Sequence, residues 1–242
     1  MMEGSDPATI LREIESLARA KHVPVRLVTR RQLQEVQGTE APQGVVAFAE
    51  PLEESTIADL VGLGDQPEPG DGELAPATAG RSAGPVRHPF VLVVDGVTDP
   101  QNLGALIRSA ECSGVSGIVL PRHRSAHVTP TVAKTAAGAV EHVAIAVVPG
   151  VPGALQELSR LGVWTVGLDE RGPAKLFDLV LGDRPVALVV GAEGHGLAPL
   201  SRQRCDVLGR IPLAGHIDSL NVAAAGSIAL FEVARQRAAA GS

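Results

Sequence analysis

Short apolar runs that alternate with helical patterns across residues 89–242 constrain the fold more than any other feature of this sequence. Each run is strand-length and rich in Val, Leu and Ile: Phe90–Val94, Gly117–Leu120, Val143–Val148, Val163–Gly167, Val186–Val190 and Leu208–Ile211. Helical spacing follows several of them, at Leu103–Ser113, Pro130–Ala137 and Gly153–Leu161, and a last helix is predicted at Leu220–Arg237. This alternation predicts an α/β fold in which helices cover both faces of a mostly parallel sheet. Ligands of such sheets bind at the carboxyl ends of the strands.

The composition excludes several other classes of protein. Of the 242 residues, 45% are hydrophobic and 20% are charged, so wholesale disorder is excluded. No apolar run reaches the ~18 residues that a membrane helix needs, and the polar N-terminus lacks the apolar stretch of a signal peptide. The only cysteines, Cys112 and Cys205, cannot form a disulfide framework and favour a reducing, cytoplasmic setting. Aromatic residues are too scarce for a base-stacking platform.

The net charge of −6 comes from one segment, because residues 50–80 hold eight acidic residues and no basic ones. The remainder of the chain is neutral to slightly basic. Two basic clusters are candidate phosphate contacts, with ordinary solvated faces as the alternative. They consist of Arg19, Lys21, His22, Arg26, Arg30 and Arg31, and of Arg122, His123, Arg124, His127 and Lys134.

The pattern predicts three parts. Residues 1–50 form a short α/β piece with a helix at Ala8–Ala20 and strands at Val25–Val28 and Val45–Ala49. Residues 51–88 are acidic and rich in Gly and Pro, which is typical of a linker. Residues 89–242 form the main domain.

Three segments of the main domain contain polar residues that packing of a hydrophobic core does not explain. Asn102 and Arg108 follow the strand at Phe90–Val94. The structural alternatives are that Asn102 is a plain N-cap of the next helix and that Arg108 forms a surface pair with Glu111. Glu193 lies in a glycine-rich turn that starts at Gly191 and follows a strand. Ser219 and Asn221 flank Leu220 at the start of the last helix, where Asp218 or Ser219 alternatively serves as a cap.

In this order, the three segments resemble the motifs of the SpoU/TrmH branch of the SPOUT superfamily, which comprises RNA ribose 2′-O-methyltransferases. The first motif is the N-x5-R of Asn102 and Arg108, the second is the G-x-E-G of Gly191–Gly194, and the third is the S-L-N-V of Ser219–Val222. The sequence of Asp95–Pro100, with Glu141 further along, is most similar to the enzymes that methylate a guanosine ribose in 23S ribosomal RNA.

The resemblance implies a SPOUT-type parallel sheet whose C-terminal segment is threaded into a deep trefoil knot. It implies S-adenosyl-L-methionine as cofactor, RNA as substrate, and a homodimer formed through the knotted domain. The implied cofactor contacts are Gly191, Ile211, Leu220, Leu213 and Gly167, and the implied catalytic residues are Arg108, Asn102, Glu193, Ser219 and Asn221. No metal is expected, since His123 and His127 have i,i+4 spacing but no carboxylate near them in sequence.

The family assigns Arg108 the removal of the ribose proton. Because an arginine side chain is essentially always protonated, we expect Arg108 to anchor a phosphate and orient the hydroxyl, whose proton leaves through Ser219 or water. The front segment resembles the second half of the relatives' small α/β RNA-binding domain, and we expect weaker RNA binding than that of a full-length relative. Methylation of tRNA, resistance-type rRNA methylation, and a non-catalytic RNA-binding or ribosome-assembly role remain alternatives.

Overall fold

The computed structural model describes residues 7–37, 44–48, 52–63 and 88–240. The chain divides into two compact units, residues 1–52 and residues 53–242. We describe each unit by itself.

The second unit contains a seven-stranded sheet in which every neighbouring pair of strands is parallel. Its strands are β1 (Phe90–Asp95), β2 (Gly117–Pro121), β3 (Ala144–Val148), β4 (Trp164–Leu168), β5 (Ala174–Lys175), β6 (Val186–Gly191) and β7 (Val207–Arg210). Their order across the sheet is β3-β2-β1-β6-β4-β7-β5. All six predicted strands of this part are present, and the predicted α/β parallel architecture is confirmed.

Helices cover both faces of this sheet. They are α3 (Ile57–Leu60), α4 (Pro100–Ser113), α5 (Pro130–Thr135), α6 (Val151–Arg160), α7 (Pro199–Arg204) and α8 (Val222–Ala240), with 3-10 turns at Ala139–Glu141 and Leu176–Asp178. Phe90 and Leu92 of β1 pack in one core with α4, α5 and α8, whereas Val91 and Val93 pack in a second core with α3 and α6. Since successive side chains of a strand point to opposite faces, this partition explains why the strand is apolar throughout.

The start of α4 is fixed by local sequence. The Asp99 side chain accepts a hydrogen bond from the Gln101 amide at 2.9 Å, and Pro100 occupies the first turn. The helix ends at Ser113 and is capped by Gly114, whose φ of 77° suits glycine. Because α4 follows β1 directly, its first turn lies at the carboxyl edge of the sheet.

Part of the segment predicted as linker belongs to the second unit. The short helix α3 begins with a capping box between Thr56 and Asp59 and buries Ile57 and Leu60. The Ser55 amide also donates to the Ile145 carbonyl of β3 at 2.9 Å. Residues 53–63 are therefore anchored to the sheet, and residues 64–87 of the predicted linker lie outside the described residues.

The first unit contains α1 (Pro7–Ala20) and α2 (Arg30–Gln37). The helix at Ala8–Ala20 is confirmed, but the strand at Val25–Val28 is wrong, and residues 45–48 form no strand either, while Ala49 lies outside the described residues. A strand needs a partner ladder, and none forms among the described residues here; Leu27 stays 98% exposed. The helix α2 was missed because its residues are almost all polar.

Candidate active site

A pocket of about 440 Å³ opens at the carboxyl ends of β4, β6 and β7 in the second unit. This is the edge of a parallel sheet where ligands bind. Apolar side chains and glycine backbone form one part of its wall, and charged side chains form the other. The lining residues are Leu168, Asp169, Glu170, Arg171, Val190, Gly191, Ala192, Glu193, Gly194, His195, Gly196, Arg202, Gly209, Ile211, Leu213, Asp218, Ser219, Leu220, Val222 and Ala225.

The loop after β6 folds back on itself at the pocket wall. Ala192 and Gly196 exchange two backbone hydrogen bonds, of 2.9 and 2.8 Å. A Cβ atom on Gly191 would lie 2.1 Å from the Gly196 carbonyl carbon, so only glycine fits there. Gly194 and Gly196 adopt φ values of 75° and 64°. These glycines let the loop close while the Glu193 side chain stays exposed at the pocket.

Asp95 holds the far end of the same loop. This carboxylate ends β1, is only 9% exposed, and accepts a hydrogen bond from the Ala198 amide at 2.9 Å through Oδ2. The contact ties the loop after β6 to the neighbouring strand. Sequence reasoning did not give Asp95 a role, although an acidic residue at the end of a wholly apolar strand was the available signal.

Asn102, Glu193 and Asn221 form a closed triangle of hydrogen bonds, which joins the three predicted motifs. Asn221 Nδ2 donates to Asn102 Oδ1 at 2.9 Å and to Glu193 Oε1 at 2.8 Å, and Asn102 Nδ2 donates to Glu193 Oε2 at 3.3 Å. The Asn221 Oδ1 atom faces the other way and accepts from the amides of Ala223 and Ala224 at the start of α8. The amide orientation of Asn221 is therefore fixed by the helix that it caps.

These contacts resolve the structural alternatives at Asn102 and at the third motif. Asp99 caps α4, so Asn102 is not a plain N-cap and its amide is available to Glu193. Asn221 makes the capping contacts at the start of α8, rather than Asp218 or Ser219. Both Asp218 and Ser219 are exposed and line the pocket instead.

Arg108 lies apart from this triangle. It is exposed on α4, does not line the pocket, and makes no ion pair among the described residues, so the alternative of a pair with Glu111 is not seen. Six helical positions separate it from Asn102, which corresponds to about 9 Å along the axis and about 120° around it. Its neighbour Ser109 contacts Ser227 of α8 through a 2.7 Å hydrogen bond between their hydroxyls.

Four of the five predicted cofactor contacts, Gly191, Ile211, Leu213 and Leu220, line the pocket. Gly167 does not. A Cβ atom there would lie 2.7 Å from Leu197 Cδ1 and 2.9 Å from Cys205 Sγ, so its small size is required by packing beneath the pocket. The structure gives Gly167 no contact with the pocket among the described residues.

The charged part of the wall contains an ion pair that the sequence did not suggest. Arg202 Nη1 lies 2.9 Å from Asp169 Oδ2, and the Asp169 side chain is only 9% exposed. Below this wall, burial raises the pKa of Cys205 to about 12, with smaller contributions from the charges of Asp206 and Asp95. Within the described ranges, no group of three His, Cys, Asp or Glu residues could hold a metal ion, and no helix could cross a membrane.

Two protein families match this chain, one in each of its two parts. The profile of the SpoU rRNA Methylase family matches residues 89–231, and the profile described as RNA 2′-O ribose methyltransferase substrate binding matches residues 3–55. The chain is 38% identical over 240 residues to the 23S rRNA (guanosine-2′-O-)-methyltransferase RlmB of Xylella fastidiosa, with 98% of this chain and 88% of that protein covered.

Two solved structures are similar to this chain. The AdoMet-bound rRNA methyltransferase from Sinorhizobium meliloti has a TM-score of 0.70 and 25% identity, and the match covers 93% of this chain and 77% of that one. The SpoU methyltransferase AviRb from Streptomyces viridochromogenes, in complex with AdoMet, has a TM-score of 0.59 and 32% identity, with 64% and 63% covered. In both cases the similarity holds for the three-dimensional structure as well as for the sequence.

Proposed function

This chain belongs to the SpoU rRNA methylase family and is an RNA ribose 2′-O-methyltransferase, and we propose that it methylates a guanosine of 23S rRNA with S-adenosylmethionine as methyl donor. The observation that carries this proposal is the triangle of Asn102, Glu193 and Asn221, of which Glu193 lines the pocket. A protein that had kept only the fold would have no need for three polar side chains from three separate segments in mutual contact. Since the proposed substrate is ribosomal RNA, we place the reaction in the cytoplasm.

The pocket fits the proposed methyl donor in size and in chemistry. Its volume of about 440 Å³ falls in the range of small-molecule sites. Ile211, Leu213 and Leu220 offer apolar surface to an adenosine group, and Gly191 contributes backbone to the same wall. The carboxylate of Glu193 suits a positively charged ligand, whereas that of Asp169 is paired with Arg202. When bound, S-adenosylmethionine supplies an electrophilic methyl group on a sulfonium sulfur.

The nucleophile is a ribose hydroxyl, which is weak and must lose its proton as it attacks. We assign its orientation to the triangle, in which Glu193 and both asparagines hold one another in place. Ser219 lines the same pocket as Glu193 and offers a hydroxyl through which the proton can leave, directly or through water. Arg108 would bind the adjacent phosphate and hold the ribose at the correct distance.

We propose that the site is completed in a homodimer. Arg108 lies apart from the triangle of its own chain, next to a residue that contacts α8, and the outer surface of α8 carries exposed apolar residues. Phe231 is 50% exposed and Ile228 is 38% exposed, one turn apart on this helix, and Ile217 is 74% exposed in the loop before it. Apolar side chains grouped in this way favour a self-association surface, which would bring Arg108 of one protomer to the pocket of the other.

The experiment that tests this function is methyl transfer by the full chain from labelled S-adenosylmethionine to 23S rRNA prepared without modifications. We expect one methyl group per rRNA molecule, on a guanosine 2′-oxygen located by nuclease digestion and mass spectrometry. Transfer to tRNA alone would favour the tRNA alternative. Tight binding of the methyl donor in calorimetry with no transfer to any RNA would favour a non-catalytic role and contradict the proposal.

A further inference from the structure

A basic loop follows β2 at the carboxyl edge of the sheet. We call it the edge loop and define it by its four cationic or titratable residues, Arg122, His123, Arg124 and His127, all of which lie after the last residue of that strand. It belongs to one of the two basic clusters in the sequence. By itself a cluster of this kind is as often a solvated face as a binding surface, so its geometry decides what it can do.

The edge loop is held in an unfavourable conformation by defined contacts. Arg124 has a φ of 59°, which is uncommon for a residue other than glycine. The two next residues fix it there, because the Ser125 hydroxyl and the Ala126 amide both donate to the Val97 carbonyl, at 3.0 and 2.8 Å. Strained backbone that is held so firmly is concentrated at functional sites.

Those contacts join the edge loop to the segment that carries the active site. Val97 lies between the end of β1 and the start of α4, five positions before Asn102. In the sheet, β2 and β6 lie on either side of β1. Neighbouring strands are about 4.8 Å apart, so the edge loop begins about 10 Å from the end of β6, where Gly191 begins the pocket wall. An RNA strand whose ribose reaches the triangle and which continues toward β2 therefore passes close to the edge loop.

The charge of Arg124 is available to such a strand. Arg122 has an ion pair of 3.6 Å with Glu54, in which both side chains are more than half exposed. Arg124 makes no ion pair within the described part of the chain, and the residue is exposed. A guanidinium of this kind binds phosphate oxygens well, because its donors match their geometry.

From this placement we propose that the edge loop is a contact surface for the sugar-phosphate backbone of the substrate RNA, with Arg124 as its central contact. The inference rests on the proposed function and deepens it, because it assigns the path of the RNA beside the target nucleotide. Arg124 is a binding residue for the flanking phosphates and takes no part in the methyl transfer itself.

The test measures RNA binding by the full chain and by three variants over a range of salt concentrations. The RNA is an unmodified 23S rRNA fragment that contains the guanosine that the chain methylates. Arg124→Asn removes the charge and keeps a residue that tolerates positive φ, while Arg124→Lys keeps the charge. Arg160→Gln is the matched control, since Arg160 is also exposed but ends α6 at the opposite edge of the sheet. Melting temperature and binding of the methyl donor are measured on each protein.

We expect Arg124→Asn to weaken RNA binding several-fold and to reduce the slope of log K against log salt by about 0.7 to 0.9, the loss of one phosphate contact. Arg124→Lys should stay close to the parent, and Arg160→Gln should equal it. If Arg124→Asn melts lower, Arg124→Asn and Arg124→Lys are compared at a temperature well below both unfolding transitions, where only Arg124→Asn should show the reduction in slope.

If the salt slope of RNA binding is unchanged in Arg124→Asn, or if Arg160→Gln loses as much RNA affinity as Arg124→Asn, the edge loop is not the contact surface. In that case the parent chain still binds and methylates rRNA, and the proposed function stands. A parent chain that neither binds nor methylates any RNA overturns the proposed function, a failure that is visible before any variant is made.

Discussion

Asn221 Nδ2 lies 2.9 Å from Asn102 Oδ1, although 119 positions separate the two residues in the chain. One asparagine follows β1 in the first turn of α4, and the other caps α8. Their contact exists only because the end of β1 and the start of α8 meet at the same edge of the sheet. Glu193, from the loop after β6, closes the triangle and makes its geometry depend on all three segments.

Asn221→Asp separates the two roles of this side chain. An aspartate keeps the oxygen that caps α8, but it places a second oxygen where Nδ2 now donates to Glu193 and Asn102. We expect kcat to fall by about 100-fold, because the triangle loses its donors and gains a like charge, while the retained cap keeps α8 folded. The measurement is steady-state methyl transfer beside thermal unfolding. A rise in KM with kcat preserved would contradict a role in orienting the nucleophile.

Mixing two inactive variants tests whether Arg108 serves the pocket of the partner. Arg108→Ala and Asn221→Asp are unfolded together, refolded together and assayed. If Arg108 acts on the other protomer, half of the sites in each mixed dimer are intact, and about a quarter of the parent activity returns at equal mixing. If Arg108 acts within its own chain, no mixed dimer contains an intact site and activity stays absent. Each variant refolded alone is the control.

Phe231→Glu tests the surface that we propose for self-association. The side chain is half-exposed on the outer surface of α8, so a charge there costs the monomer little but opposes burial between protomers. We expect light scattering to report a monomer and methyl transfer to fall with it. Phe177→Glu is matched in residue type and in exposure, at 48%, and lies in the 3-10 turn at Leu176–Asp178. That variant should keep the mass of the parent, and an equal effect of both variants would argue against α8 as the interface.

The sequence predicts the sheet well because strands buried on both faces must be apolar along their whole length. The strands β1 and β6 are buried at every position, and short runs of Val, Leu and Ile bounded by turn residues are typical of such strands. The residues of the triangle are also predictable, because Asn102, Glu193 and Asn221 belong to the three segments that resemble the family motifs. That the three side chains contact one another, however, is a property of the topology.

Other features depend on tertiary contacts that leave little trace in the sequence. The helix α3 has four residues, too few for helical periodicity, and it exists because Ile57 and Leu60 are buried against the sheet. The pair of Asp169 and Arg202 joins the end of β4 to α7, and neither residue stands out locally. Gly167 shows the converse, since the family resemblance implies a cofactor contact there, whereas packing against Leu197 and Cys205 accounts for the glycine.

Gly117→Ala tests the anchoring of residues 53–63 on the sheet. A Cβ atom at this position of β2 would lie 2.3 Å from Leu60 Cδ2 and 2.9 Å from the Ala144 carbonyl oxygen. Both the side chain of α3 and the neighbouring strand would have to shift, so we expect the free energy of unfolding to fall by about 1 to 3 kcal/mol in urea titrations. Gly153→Ala is the control, because no atom lies within 4 Å of its Cβ position. Equal stability of Gly117→Ala and the parent would show that α3 does not pack on β2 in solution.

The two cysteines should differ sharply in reactivity. Cys112 is exposed on α4, whereas burial raises the pKa of Cys205 to about 12. At pH 8 we therefore expect a disulfide reagent to titrate one thiol in the folded chain and two in guanidinium. Rapid modification of both thiols in the folded chain at pH 8 would mean that Cys205 is not held beneath the pocket wall as the structure has it.

The raised pKa of Cys205 also has a consequence for stability. An unfolded Cys205 loses its proton near pH 9 while the folded one keeps it, so the free energy of unfolding should decrease as pH rises from about 9 toward 12. Urea titrations across this pH range measure the decrease. Cys205→Ala should show a smaller decrease than the parent, because it lacks the thiol whose pKa differs between the two states, and Cys112→Ala should match the parent. An identical pH dependence of Cys205→Ala and the parent would contradict a thiol whose pKa is raised by partial burial at this position.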